Sequence, residues 1–110
     1  MRETGTLLLS RAMPTKARSA AEIVLRAERA PEVREAVMIG PGGRRLAGSP
    51  ALTGPAAELL TASDAPAIEV VTPRGGVYAV RQGPRAIVAV TTRAALPALI
   101  LRDLRAALSS

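Results

Sequence analysis

The sequence predicts a single α/β (α+β) domain with the element order α-β-β-α-β-β-β-α. Three observations carry that prediction. A Ser-x-x-Glu box at Ser19–Glu22 opens a run with helical apolar spacing. Three short apolar runs between residues 67 and 91 are separated only by Gly/Pro-bearing connections, as hairpins require. The chain then closes on residues 94–108, where apolar residues recur every three or four positions.

Each element has its own signal. In the box, the Ser19 hydroxyl can accept from the Glu22 N–H while Glu22 reaches back to the Ser19 amide; Ala20, Ile23, Val24 and Ala27 then fall on one face. Pro31 disfavours helix at the residue before it, so this helix is expected to end near Ala30. Residues 35–40 (EAVMIG) read as a buried strand, Pro41-Gly42-Gly43 as a turn, and residues 44–48 as the returning antiparallel strand. A phosphate loop would need Gly-x-x-x-x-Gly-Lys-Ser/Thr opening a helix, and that pattern is absent. A short second helix is expected over residues 53–63, capped by Thr53, with Pro55 in its first turn and Leu52, Ala56, Leu59 and Leu60 on one face. Strands are expected at 67–71, 76–81 and 85–91. In the last, Ile87 and Ala89 oppose Val88 and Val90, so it is apolar on both faces and belongs at the centre of the sheet. In the final helix Leu96, Leu99, Ile100, Leu104, Ala107 and Leu108 form the inward stripe, and Arg102, Asp103 and Arg105 the wet side. Residues 1–18 read as an N-terminal arm or extra edge strand, and 19–110 as the domain.

Composition excludes several function classes. The chain of 110 residues has no Cys and no His, which removes thiolate chemistry, the usual near-neutral acid/base and the commonest metal ligand. No cofactor, metal or catalytic residue is expected. Glu22 is explained by capping and Asp103 by a solvent face; Glu28, Glu32 and Glu35 alternate with Arg26, Arg29 and Arg34 as a solvated run. Tyr78 is the sole aromatic residue, so stacking on single-stranded nucleic acid has almost no platform. A lone strand tyrosine is expected to bury its ring and hydrogen-bond its hydroxyl at the rim. The net charge of +6 keeps a nucleic-acid- or phosphate-binding module open as the alternative function, although the basic residues are scattered. No run is long enough for a membrane span or a signal-peptide core, so a bacterial-type cytoplasmic location is expected.

Four stretches resemble the roadblock family of dynein light-chain and bacterial GTPase-regulator domains. They are residues 31–39 (PEVREAVMI), 41–49 (PGGRRLAGS), the strand pair 75–81 and 86–90, and the last helix at 99–108 (LILRDLRAAL). The sequence departs from the family in its short second helix and in its first 18 residues. The resemblance implies a roadblock-like (profilin-like) sandwich, with a five-stranded antiparallel sheet ordered 2-1-5-4-3, the first and last helices on one face and the second on the other. It also implies a homodimer through the third strand and a non-catalytic scaffold or regulator that binds a small Ras-like GTPase. The expected dimer and partner interface comprises Leu52, Glu58, Leu59, Leu60, Thr61, Ile68, Glu69, Val70 and Val71, with Arg44 and Arg45 on the opposite sheet edge.

Overall fold

The computed structural model describes residues 19–93 and 95–109; the expected N-terminal arm lies outside them. The order is α1 (Ala20–Glu28), β1 (Val33–Ile39), a 3-10 turn (Pro41–Gly43), β2 (Arg45–Gly48), α2 (Pro50–Ala62), β3 (Ala67–Thr72), β4 (Gly75–Gln82), β5 (Arg85–Thr91) and α3 (Pro97–Leu108). The five strands form one antiparallel sheet ordered β2-β1-β5-β4-β3, as the resemblance implied.

The local chemistry explains the boundaries. At α1 both halves of the capping box are made: Glu22 N–H donates to Ser19 Oγ at 3.2 Å and Ser19 N–H to Glu22 Oε1 at 2.9 Å. The helix stops at Glu28, short of Ala30, because the Arg29 and Ala30 amides turn back three residues to Arg26 and Ala27. The β4–β5 hairpin is a two-residue turn with Gly83 at φ 60°, the conformation a type II′ turn demands at its first position. The β3–β4 turn, Pro73-Arg74, has no such glycine. There the Thr72 hydroxyl donates to Gly75 O at 2.9 Å and accepts from Arg74 N–H at 3.2 Å, closing the turn with a side chain.

The second helix corrects the sequence reading. It starts at Pro50 rather than Thr53 and runs 13 residues, longer than the sequence signals suggested. Its N-cap is Ser49, whose Oγ accepts from Leu52 N–H at 3.3 Å and donates to Glu35 Oε1 at 2.5 Å. Thr53 is inside the helix and donates its hydroxyl to Ser49 O at 3.1 Å. Pro55 is also interior and has no N–H for the Ala51 carbonyl; both residues are exposed, so water can take the vacant acceptor. The last helix likewise starts at Pro97 instead of residue 94, with Leu96 as N-cap; Ala94 itself lies outside the described residues.

Two cores sandwich the sheet. On one face Ile23, Val24 and Ala27 of α1 and Ile100, Leu104, Ala107 and Leu108 of α3 pack on Ala36, Met38, Tyr78, Val80, Ile87 and Ala89. On the other, Leu52 and Ala56 of α2 pack on Val37, Ile39, Ala79 and Val88. β5 is thus central and buried on both sides, as its two apolar faces required. Leu96 and Leu99, expected in the inward stripe of α3, are exposed at its N-terminal end.

Candidate functional site

β3 is an edge strand, and its chemistry is unusual for an edge. The Arg81 N–H donates to Pro66 O at 2.9 Å, and the register continues with Ala67 opposite Val80. In an antiparallel ladder the hydrogen-bonding residues alternate. Ile68, Val70 and Thr72 therefore bond inward to β4, and the N–H and C=O groups of Ala67, Glu69 and Val71 point outward. Among the described residues no strand pairs with them. Val70 is 40% and Val71 62% exposed, so the open row is flanked by apolar side chains. Such an edge is a template for another strand unless something covers it.

Side-chain parity divides the expected interface. Ile68 and Val70 stand on the α2 side with Val77 and Ala79; Glu69 and Val71 stand on the α1–α3 side, opposite Tyr78 and Gly76. On the α2 side a cavity of about 180 Å³ runs beside the edge, walled by Leu52, Pro55, Ala56 and Leu59 of α2 and by Val70, Val77 and Val88 of the sheet. Leu52 forms its buried back wall and Leu59 is half-buried. Glu58 is exposed on α2. Leu60 and Thr61 face another cavity, of about 370 Å³, between the C-terminal half of α2, the Gly40–Gly43 turn, Arg81 and Arg85. Thr61 is exposed, with its hydroxyl donated to Ala57 O at 2.9 Å. The structure thus brings together Leu52, Leu59, Ile68 and Val70. It sets Glu69 and Val71 on the other face of the same edge, and Leu60 and Thr61 around the end of α2. Arg45 stands on β2, the opposite edge of the sheet.

Sequence reasoning missed Arg81. Its Nε donates to Ala65 O at 3.1 Å, and its Nη2 donates to Leu60 O and Ser63 O. One guanidinium thus gathers the carbonyls at the end of α2 and the loop into β3, which sets the helix against the edge strand. The only sequence signal was a charged residue in an otherwise apolar strand. Arg85 does a related job, donating from Nη2 to Leu108 O at 3.4 Å at the end of α3.

Chemistry elsewhere is sparse. No group of three or more His, Cys, Asp or Glu able to hold a metal occurs among the described residues. Glu22 and Glu35 serve caps, and Asp103 pairs with Arg102 at 3.2 Å on an exposed surface. No described helix is long and apolar enough to cross a membrane.

Comparison with solved structures gives the fold its relatives. A roadblock/LC7 domain from Streptomyces avermitilis superposes with a TM-score of 0.69 at 12% identity, covering 84% of this chain and 93% of that one. MglB of Myxococcus xanthus gives 0.62 at 11% identity, over 82% and 79% of the two chains. Profilin IB of Acanthamoeba castellanii gives 0.63 at 17% identity, over 83% and 94%. Neither a scan against protein-family models nor a comparison with curated proteins gives a match. The chain has the roadblock/LC7 fold, an architecture it shares with profilin.

Proposed function

We propose that this roadblock-fold chain is a non-catalytic homodimeric regulator, joined through β3, that binds a small Ras-like GTPase and modulates its nucleotide state or signalling. The observation that carries the reading is the open β3 edge: outward N–H and C=O groups at Ala67, Glu69 and Val71, with Val70 and Val71 exposed beside them. Pairing of two such edges makes one continuous sheet and places the two apolar cavities beside α2 on a shared face. Backbone pairing with burial of that face supplies the area a specific interface needs, about 1,200 Å² or more in total. The GTPase as partner rests on the fold likeness to MglB and on the four stretches of sequence that resemble the family.

The reading is tested by mixing the purified protein with small Ras-like GTPases from the same organism, loaded with GDP or GTP. Binding that depends on the nucleotide, or a changed rate of hydrolysis or release, is expected. The absence of binding to either form removes the GTPase from the proposal.

A further inference from the structure

We infer that the N-terminal end of α3 and the hydroxyl of Tyr78 form a binding site for a small organic carboxylate with a short apolar body. The inference is independent of the GTPase reading and lies on the opposite sheet face from α2.

Tyr78 is 1% exposed, and no described residue supplies its hydroxyl with a hydrogen-bond partner. This departs from the expectation that the hydroxyl would be satisfied at the rim. A buried hydroxyl without a partner costs about 1–3 kcal/mol, so its retention asks for a ligand. The position of the hydroxyl is fixed by Gly76: a Cβ there would lie 2.6 Å from the Tyr78 oxygen and 2.5 Å from its ring. Gly76 also lines a cavity of about 250 Å³, so the hydroxyl sits at that cavity's wall. The Gly76 amide is not the missing partner, since it donates to Thr91 Oγ1 at 3.2 Å.

The rest of the cavity selects the charge and shape of an occupant. Pro97, the first residue of α3, lines it, and the N-cap Leu96 has no side-chain oxygen to offer the helix. No acidic residue stands in the first turn of α3, so the positive end of its dipole is uncompensated. Arg93 is at the rim, exposed and without a described carboxylate partner, and no Asp or Glu lines the space. The rest of the wall is Val71, Pro73, Ala95 and Pro97, together with Gly75, Thr92 and Thr72, whose hydroxyl is already engaged in the β3–β4 turn. An anionic head beside Tyr78 and Arg93, with a few methylenes against valine and proline, satisfies each of these groups. A fully hydrated inorganic anion satisfies only the polar ones.

Tyr78 is the sole aromatic residue, so the protein's intrinsic fluorescence comes from this wall alone. The intact protein is titrated with sodium butyrate, with inorganic phosphate, and with sodium chloride at matched ionic strength. A saturable fluorescence change with butyrate only is expected. Tyr78→Phe keeps the ring and removes the hydroxyl; it is expected to melt no lower than wild type, because no protein hydrogen bond is lost. Its butyrate affinity, read by calorimetry and by the Thr92 and Ala95 amide resonances, is expected to fall roughly tenfold with the lost charge-assisted bond. Arg93→Gln is expected to weaken butyrate as well. The inference is overturned by the absence of a saturable butyrate response, by phosphate binding as tightly as butyrate, or by an unchanged affinity in Tyr78→Phe.

Discussion

Replacing Arg81 by leucine tests how the end of α2 is held. The guanidinium donates to three carbonyls, those of Leu60, Ser63 and Ala65. A hydrogen bond to a charged donor contributes about 1.5–3 kcal/mol when it is buried. Here the arginine and its acceptors are half-buried rather than enclosed, so water can replace part of what leucine removes. The expected loss is therefore nearer one full bond than three, about 2–3 kcal/mol. For a domain of this size that corresponds to a fall in melting temperature of roughly 10–20 °C. Arg81→Lys is expected to recover less than half, because a single ammonium on a flexible stem cannot present a planar fork to three acceptors. Urea unfolding followed by circular dichroism gives the free energy. Amide exchange localises it, with the faster-exchanging amides expected in the last turn of α2 and at 63–66. A loss below about 0.5 kcal/mol, the usual scatter for surface substitutions, or full recovery with lysine, refutes the tether.

Further outcomes follow from the same packing. Leu104 is buried between α3 and the sheet, so Leu104→Ala is expected to cost about 2–5 kcal/mol in urea unfolding, the range for a cavity-forming core truncation. Leu59→Glu places a charge in the wall of the cavity beside β3 and is expected to abolish partner binding and weaken the dimer in sedimentation without unfolding the domain. Thr61→Arg, at an exposed position near the end of α2, is expected to reduce GTPase binding while leaving the dimer intact, which binding and light scattering report separately. Arg44→Ala and Arg45→Ala are expected to leave GTPase binding unchanged and to shift elution from heparin only if phosphate affinity is genuine.

Much of the fold was legible because local signals agreed with one another. The capping box fixed the start of α1, the two apolar faces of residues 87–90 fixed β5 at the centre, and the Gly83-Pro84 pair fixed a tight hairpin. The start of α2 was misread because two caps competed. Ser49-Pro50 is a Ser cap followed by Pro at the first helical position, and Thr53 four residues later imitates it. Ser49 prevails because its hydroxyl also reaches Glu35 on β1, a tertiary contact with no trace in the local sequence. The apolar spacing of α3 hid a similar ambiguity. Leu96 and Leu99 match the period of the stripe, but they precede or open the helix, at its exposed end. The residues expected at an interface were legible as a strand and a helix face, whereas which of them share a sheet face with α2 was not. That division follows from the register Glu69 to Tyr78 and Val70 to Val77. The contacts of Arg81, and the lack of a partner for the Tyr78 hydroxyl among the described residues, depend on groups distant in sequence, so no local pattern announces them.

The central claim is that the outward edge of β3 joins two copies of the chain, and Glu69→Pro tests it most directly. The Glu69 N–H points away from β4, so proline there removes a donor that no other described strand uses, which edge strands tolerate. Glu69→Gln is the control for the lost charge. Light scattering at micromolar concentration is expected to give twice the 11.4 kDa chain mass for wild type and for Glu69→Gln. It is expected to give the single-chain mass for Glu69→Pro, with an unchanged circular dichroism spectrum. A monomeric wild type, or a Glu69→Pro variant that stays dimeric, contradicts the account.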